Sequence, residues 1–332
     1  MRSRSAPAIG APPYLAIGGR TINPVVPTLL GAACISTSAI VTRLADTQAG
    51  TTAFYRCILA LPILFTLSLL EQRKSGTRPL RQRTMAMVGG MCLGVDLVLW
   101  TRAIYDVGAG IATVLANLQV VFVTIIAWGL LRERPKSHFV VALPVVLFGV
   151  VLLADLGSSQ HSGFHPVAGV LYGLSASVAY AMFIVIFRNS TRGWPHVAGP
   201  LTDATVGAAI AALLLGLAVG QMRFSLSGQA LGWLILLAVT SQTIGWLLIT
   251  TSLPRLPVAL SSLLLLVQPA ASVVLAAIVL SERPSVLQLL GAVLVCGGVL
   301  LAARSRSSPD LPAAGPTTGS PPPLQTGGLE LE

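Results

Sequence analysis

Two short stretches, LRERPKS at Leu131–Ser137 and LSERPSV at Leu280–Val286, each place a charged tripeptide directly after a long apolar run. Glu133 and Glu282 are 149 positions apart. When the chain is shifted by that distance, it aligns with itself without a gap from its third apolar segment to the end of its fifth. The repeated tripeptide therefore marks a duplicated structural unit.

The register of this duplication extends well beyond the tripeptide. The aligned pairs are Leu115 with Leu264, Gln119 with Gln268, Ala127 with Ala276, Gly149 with Gly298 and Leu152 with Leu301, and the motif itself pairs Glu133, Arg134, Pro135 with Glu282, Arg283, Pro284. In each copy the motif follows the fourth apolar segment of the unit and precedes the fifth. We expect its glutamate to close helix ends and fix the turn rather than to contact a substrate.

The composition explains which solvent this unit folds in. Of 332 residues, 54% are hydrophobic and 10% are charged, whereas a soluble domain carries roughly a quarter charged residues. A soluble protein of this size would need a polar coat that so few charges cannot supply. Lipid requires no such coat, so the composition predicts an integral membrane protein.

Ten segments approach the roughly 20 apolar residues that cross a bilayer. They are Pro24–Leu44, Thr51–Leu70, Thr84–Ile104, Gly108–Leu131, Phe139–Leu156, Pro166–Phe187, Val197–Gly220, Leu231–Thr251, Val258–Leu280 and Val286–Ala303. Helices are predicted because the runs lack period-two alternation and are longer than the segments of a barrel. The sequence thus predicts an all-α polytopic membrane protein with ten transmembrane helices.

The odd number of helices in each unit fixes how the two copies are related. After five crossings the second copy enters the membrane from the opposite side, which predicts two inverted five-helix repeats at 24–156 and 166–303. The flanking stretches are rich in Pro, Gly and Ser, so 1–23 and 304–332 are predicted to be disordered. The final LELE is either native or a remnant of cloning.

The basic residues are distributed unequally between the two sides that ten helices define. One side receives sixteen of the twenty-one Lys and Arg residues, and the other receives Arg43, Arg56, Arg102, Arg223 and Arg283. The positive-inside rule places these sixteen residues, and with them both termini, on the cytoplasmic side. We therefore expect a protein of the cytoplasmic (inner) membrane. Since the basic residues lie in short loops, the charge of +10 does not indicate nucleic-acid binding.

The same residues carry a resemblance to a known family. A fourth helix ending in GLLRERP or IVLSERP, a Gly-containing fifth such as LLGAVLVCGGVLLA and the second segment's AFYRCILALP resemble the EamA-type domain, two of which form ten-helix permeases of the drug/metabolite transporter superfamily. The resemblance implies a secondary transporter, commonly an exporter of amino acids or similar metabolites. Pro269 matches a proline of that family's ninth helix, but Val120 stands at the equivalent place in the fourth, so no proline kink is predicted there.

Polar side chains within the apolar segments are the candidates for lining a substrate pathway, because they are costly in lipid without a partner or water. The candidates are Asp96, Trp100, Asn117, Gln119, Tyr180, Gln242, Trp246 and Gln268. Their mixture of neutral hydrogen-bonding groups, aromatic rings and one carboxylate suits a small amphipathic solute.

Each candidate also has a purely structural interpretation. Ser, Thr and Gln often bond across packed membrane helices, and the two tryptophans are also compatible with an interfacial belt. Asp96 either lines the pathway or pairs with Arg56 or Arg102. Arg56 lies little more than a turn into its segment and could extend to the membrane surface. Asp203 is expected to pair with Arg188 or Arg192.

Other functions receive less support from the sequence. A channel would need a ring of like groups, which one central carboxylate does not provide, and a membrane enzyme would need clustered catalytic residues. Asp155, His161 and His165 have a spacing compatible with a metal, but we interpret them as a solvated loop. Neither a phosphate-binding loop nor any metal or cofactor site is predicted; the expected partners are a small-molecule substrate and the bilayer.

The charge distribution generates a topology prediction. Single cysteines introduced into a variant without Cys34, Cys57, Cys92 and Cys296 should show that the Glu71–Arg83 loop is protected in intact cells, because basic loops remain cytoplasmic. The two ERP loops should react from opposite sides. Labelling of both ERP loops from one side would contradict the inverted repeat.

Overall fold

A computed structural model describes residues 15–17, 20–131, 137–154, 165–191, 194, 196–252, 264–265 and 267–304. The first half contains helices α1 (Val25–Ser36), α2 (Ser38–Ala45), α3 (Ala49–Ile58), α4 (Leu61–Ser75), α5 (Leu80–Val107), α6 (Ala109–Ala116), α7 (Gln119–Leu131) and α8 (Ser137–Ala154). The second half contains α9 (Pro166–Ser190), α10 (Ala198–Ala218), α11 (Gly228–Leu237), a π-helix (Ala238–Gly245), α12 (Trp246–Ser252), α13 (Val267–Val279) and α14 (Val286–Arg304).

The helices have the length and composition of membrane spans. Six are long and apolar enough to cross a bilayer: Val25–Ala45, Ala49–Ser75, Leu80–Val107, Pro166–Ser190, Ala198–Ala218 and Gly228–Ser252. The other four predicted segments contain shorter apolar helices, at Ala109–Val123, Leu143–Leu152, Val267–Val279 and Val286–Gly298. The chain is therefore an all-α polytopic membrane protein.

The outer surface of the bundle is apolar, as lipid requires. Large hydrophobic side chains point outward on many helices; Leu214 on α10 is 58% exposed and Ile278 on α13 is 73% exposed. In water this surface would be unfavourable, because apolar patches of this extent on soluble proteins cause association. The bilayer covers it without cost.

A short hairpin precedes the helices. Strands β1 (Leu15–Ile17) and β2 (Arg20–Ile22) pair antiparallel. The prediction that residues 1–23 are disordered stays a prediction.

The fourth apolar segment breaks between α6 and α7 although it contains no proline. The amide nitrogens of Asn117 and Leu118 bond to carbonyls three residues earlier, at 3.1 and 3.0 Å. The side-chain amide of Asn117 also donates to the carbonyl oxygen of Thr113 at 2.8 Å. These tighter bonds end α6. The helix therefore breaks at Asn117, although Val120 stands where a proline kink would be expected.

Helices of one half pair with the equivalent helices of the other. α3 and α4 pack against α10, α6 packs against α13, and α8 packs against α14. The contact of α5 with α9 is mirrored by that of α1 with the π-helix and α12. This reciprocal pairing is the arrangement that two repeats related by an axis in the membrane plane produce.

The closest approach between the halves is made by glycines of α5 and α10. A Cβ atom on Gly90 or Gly94 would collide with the carbonyl oxygen of Ala204 or Ala208, and one on Gly207 would collide with the carbonyl oxygen of Met87. The two backbones are therefore in direct contact, as small residues allow between membrane helices.

The bundle has two ends, and each is named after one of its residues. The Glu282 end contains residues 46–48, 108, 165, 220–227 and 281–285, which are linked by hydrogen bonds or line shared cavities. The Arg78 end contains residues 76–79, 191, 194, 196 and 197.

The glycine contact predicts a strong and position-dependent effect on stability. Gly207→Val should destabilise the protein by about 3 kcal/mol, because its side chain has no space against the α5 backbone. Gly232→Val is the matched control, since a Cβ on this exposed glycine of α11 meets nothing within 4 Å. Apparent melting temperatures in detergent measure both effects. Equal effects would contradict the direct contact between the backbones of α5 and α10, which we call the seam.

Candidate functional site

A buried cation and a buried anion lie at the centre of the bundle. Arg56 on α3 is 3% exposed and Asp96 on α5 is 6% exposed. They are near enough to interact electrostatically, but they are not among the direct ion pairs of the described residues. Arg56 therefore does not extend to the membrane surface, which the sequence had left open.

Arg56 is held by α5 and by the π-helix. Its Nη2 atom donates to the hydroxyl oxygen of Ser241 at 3.1 Å, and its guanidinium carbon lies 5.9 Å from the ring centroid of Trp100. Its Nε atom has no hydrogen-bond partner within the described part of the chain. The guanidinium thus retains donor capacity that the protein itself does not use.

Aromatic side chains from two other helices pack together beside this charged pair. The ring of Trp246 on α12 lies 6.0 Å from that of Tyr180 and 5.5 Å from that of Phe183, both on α9, in edge-to-face geometry. Asp96 and Arg56 are both close enough to Tyr180 to affect it electrostatically. Apolar rings and opposite charges therefore share one small region.

The π-helix brings a second polar residue into the core. Gln242 is fully buried, its amide donates to the hydroxyl of Thr205 at 3.4 Å, and its Oε1 atom has no partner among the described residues. In this wider turn the side-chain hydroxyl of Thr243 donates to the carbonyl oxygen of Ala238, five residues earlier, at 2.9 Å. Such segments are frequent at functional sites.

Five of the eight predicted lining residues are thus brought near each other: Asp96, Trp100, Tyr180, Gln242 and Trp246. Asn117 and Gln119 lie at the break between α6 and α7, and Gln268 lies on α13, which packs against α6. Within the described ranges, these three residues form no hydrogen bond or ring contact with the central group. Sequence reasoning named Arg56 only as a possible structural partner of Asp96, and it missed Ser241; a lone arginine in an apolar segment was the available signal for a larger role.

Two adjoining cavities open at the Glu282 end. Their volumes are about 680 and 740 Å³, and both are bounded by Leu44, Asp46, Arg102 and Tyr105. The first also includes His165. Arg102, which the sequence offered as a partner of Asp96, borders these cavities and pairs with Asp106 at 3.3 Å instead.

The Arg78 end is closed by charged contacts. Arg78 Nη1 lies 2.9 Å from the Asp203 carboxylate, and its Nη2 donates to the carbonyl of Ser190 at 3.1 Å. Burial lowers the pKa of Arg78, and the Asp203 carboxylate opposes this by favouring the charged form. Arg83 adds a looser contact to Asp203 at 3.5 Å. The expected pairing of Asp203 with Arg188 is therefore wrong, and Arg192 lies outside the described residues.

Two glutamates connect the halves by capping helices. Glu282 accepts from the amide nitrogens of Ala109 and Gly110 at 2.9 and 3.4 Å, and Glu71 accepts from those of Ala198 and Gly199 at 3.0 and 2.8 Å. A carboxylate at a helix N-terminus satisfies amides that have no partner within the helix. Glu282 therefore closes a helix end, in line with the expectation from the sequence, and the helix that it closes belongs to the other repeat.

Several predicted residues fall outside the described ranges. They are Glu133, Arg134 and Pro135 of the first motif, and Asp155 and His161 of the loop with metal-compatible spacing. Across the described residues no group of three or more His, Cys, Asp or Glu side chains could hold a metal ion. In the second motif, Arg283 and Pro284 follow Glu282 at the Glu282 end, where Pro284 lines a narrow crevice.

Long apolar helices in two halves that pair with each other, with polar groups buried among them, define a polytopic membrane protein built from two similar units. The profile of the EamA-like transporter family matches residues 24–154 and 167–304. The chain belongs to this family.

The comparisons also identify relatives that are about as long as a single repeat. The chain is 32% identical over 107 residues to the probable 4-amino-4-deoxy-L-arabinose-phosphoundecaprenol flippase subunit ArnE of Salmonella enteritidis PT4 (strain P125109), an alignment spanning 30% of this chain and 95% of the relative. The protein of the same name from Salmonella newport (strain SL254) is 28% identical over 105 residues, with the same two coverages.

A solved crystal structure of another protein resembles the whole bundle. It matches with a TM-score of 0.58 at 18% identity and covers 84% of this chain and 97% of the other. At this identity the likeness shows the fold alone.

The closed end predicts unequal effects for two arginines that contact the same carboxylate. Arg78→Gln should destabilise the protein by about 3 kcal/mol, because it leaves Asp203 without its main partner in a largely buried site. Arg83→Gln, whose side chain is 51% exposed, should cost about 0.5 kcal/mol. Thermal unfolding in detergent measures both, and a loss of stability in Arg83→Gln as large as that in Arg78→Gln would contradict the assignment.

Proposed function

We propose that the protein is a secondary transporter that exports a small amphipathic solute, such as an amino acid or similar metabolite, by alternating access. One observation carries this proposal. The central polar group lies between an end with large cavities and an end closed by the Arg78–Asp203 pair. A carrier exposes its site to one side at a time, and inverted repeats provide two conformations by exchanging roles.

In this proposal the protein lies in the cytoplasmic (inner) membrane with both termini inside. The positive-inside asymmetry of sixteen to five basic residues supports this orientation. The Arg78 end then faces the cytoplasm, and the cavities of the Glu282 end open to the outside.

Asp96 is proposed to bind the substrate's amine or to carry a coupling proton. Its burial without a direct ion pair supports either role, because such a carboxylate must be hydrated, protonated or matched by a ligand. The remaining lining candidates, proposed to contact the solute along the pathway, are Trp100, Asn117, Gln119, Tyr180, Gln242, Trp246 and Gln268.

A second candidate is the translocation of a lipid-linked amino sugar. The name of the ArnE relatives supports this second candidate, since that name describes an amino sugar joined to a lipid through phosphate. Competition separates the two candidates: the lipid-linked substrate inhibits amino-acid counterflow only if both use the same site.

Counterflow in proteoliposomes tests the main proposal. A panel of radiolabelled amino acids and metabolites should include solutes whose uptake saturates and is driven by unlabelled solute inside, because a carrier exchanges and a channel does not. A membrane enzyme would convert a solute without accumulating it. Absence of counterflow for the whole panel would overturn the proposal.

Asp96→Asn tests the role of the central carboxylate. This change preserves size and hydrogen bonding, so the variant should fold, but its counterflow should fall by about tenfold or more, because a charge-assisted contact is lost. Arg81→Gln, at an exposed arginine of α5 outside the site, serves as the control variant. Wild-type rates from well-folded Asp96→Asn across a pH series would exclude both proposed roles of this residue.

A further inference from the structure

The central charges are separated although attraction should bring them together. Opposite charges in a medium of low dielectric constant attract strongly, and an unpaired buried charge is unfavourable. Arg56 and Asp96 are both almost fully buried, yet they form no direct ion pair. Among the described residues the Asp96 carboxylate also has no hydrogen-bond donor.

The protein holds the guanidinium away from the carboxylate. Arg56 donates to Ser241 on the π-helix and lies over the ring of Trp100. Trp100 is one helical turn from Asp96 on α5, so both contacts place the cation beside the anion without joining them. The Nε atom of Arg56 remains without a partner within the described ranges.

We propose that Arg56 is a specificity-determining residue that binds the acid group of a zwitterionic solute whose amine binds Asp96. This inference rests on the proposed transport function. The acid group is a carboxylate or a phosphate, because the planar guanidinium matches both with two parallel hydrogen bonds. A solute that carries both charges provides a partner for Arg56 and a partner for Asp96 at the same time.

The surrounding rings determine the rest of the solute. Trp246 packs edge to face against Tyr180 and Phe183, which stack on each other next to the charged pair. We infer that an apolar side chain of the solute is compatible with these rings, whereas a third charge would be buried without a partner. The site therefore favours zwitterions of zero net charge with an apolar side chain.

A structural role for Arg56 makes a different prediction. If Arg56 only connects α3 to the π-helix through Ser241, its replacement lowers stability and slows every solute equally. If it binds the acid group, its replacement changes which solutes are preferred. Selectivity is therefore the decisive measurement.

The experiment compares counterflow of three matched probes: leucine, isopentylamine, which lacks the carboxylate, and 4-methylpentanoate, which lacks the amine. Glycerophosphoethanolamine, a phosphodiester of zero net charge, is added as a zwitterion with a phosphate. Wild-type protein should prefer leucine or glycerophosphoethanolamine over the single-charge probes by about tenfold or more, since each charge-assisted bond contributes on that scale. Whichever zwitterion is carried identifies the acid group.

Two variants separate the contributions of the charges. Arg56→Gln should reduce the preference for the zwitterion over isopentylamine to within about threefold, and Asp96→Asn should do the same for the preference over 4-methylpentanoate. Arg56→Lys keeps the charge without the fork, so it should keep the preference at a lower rate even if Arg56→Gln does not fold. Arg81→Gln should change neither ratio.

The outcomes distinguish the inference about Arg56 from the proposal that the protein is a transporter. Wild-type counterflow of isopentylamine as fast as that of the zwitterion overturns the role of Arg56, while transport itself stands. An equal loss for all probes in Arg56→Gln, with the preference unchanged, also overturns it. If no solute in the panel shows counterflow, the transport proposal fails, and with it this inference.

Discussion

The contact between the backbones of α5 and α10 determines much of the rest of the structure. Gly90, Gly94 and Gly207 allow these helices to touch without intervening side chains. Asp96 follows Gly94 by half a turn, so this contact also fixes the depth of the carboxylate. The seam lies towards the Arg78 end and brings Asp203 on α10 next to Arg78. Closure of that end therefore begins with the glycines and is completed by the charges.

The duplication shows where the two repeats differ. The residues 149 positions after Gly90 and Gly94 are Val239 and Thr243, and both carry branched side chains. The second repeat therefore lacks these two glycines, and its equivalent segment contains the π-helix. Among the described residues the two ends also differ, because charged contacts hold the Arg78 end and cavities of about 680 and 740 Å³ lie at the Glu282 end.

The sequence predicted the membrane fold and the duplication because both depend on patterns that extend over the whole chain. Apolar length, the ERP repeat and its constant register are visible without coordinates. It also identified five residues of the central group, because polar side chains are rare in these segments. The break at Asn117, the π-helix and the separation of Arg56 from Asp96 depend on local backbone bonds and packing, which residue types alone do not specify. For the same reason Asp203 was assigned the wrong partner: Arg78 precedes it by 125 positions, and only the fold brings them together.

The position of each charge in the bundle determines how the protein can accommodate its separation from a partner. Arg78 and Asp203 lie at an end, so in the proposed transport cycle water that enters when this end opens can solvate both groups and offset the loss of their contact. Arg56 and Asp96 are almost fully buried beside aromatic rings. In the proposed cycle the end pair therefore separates in contact with water. The central charges have less access to solvent, and the proposed ligand, which carries both opposite charges, compensates them without joining one to the other.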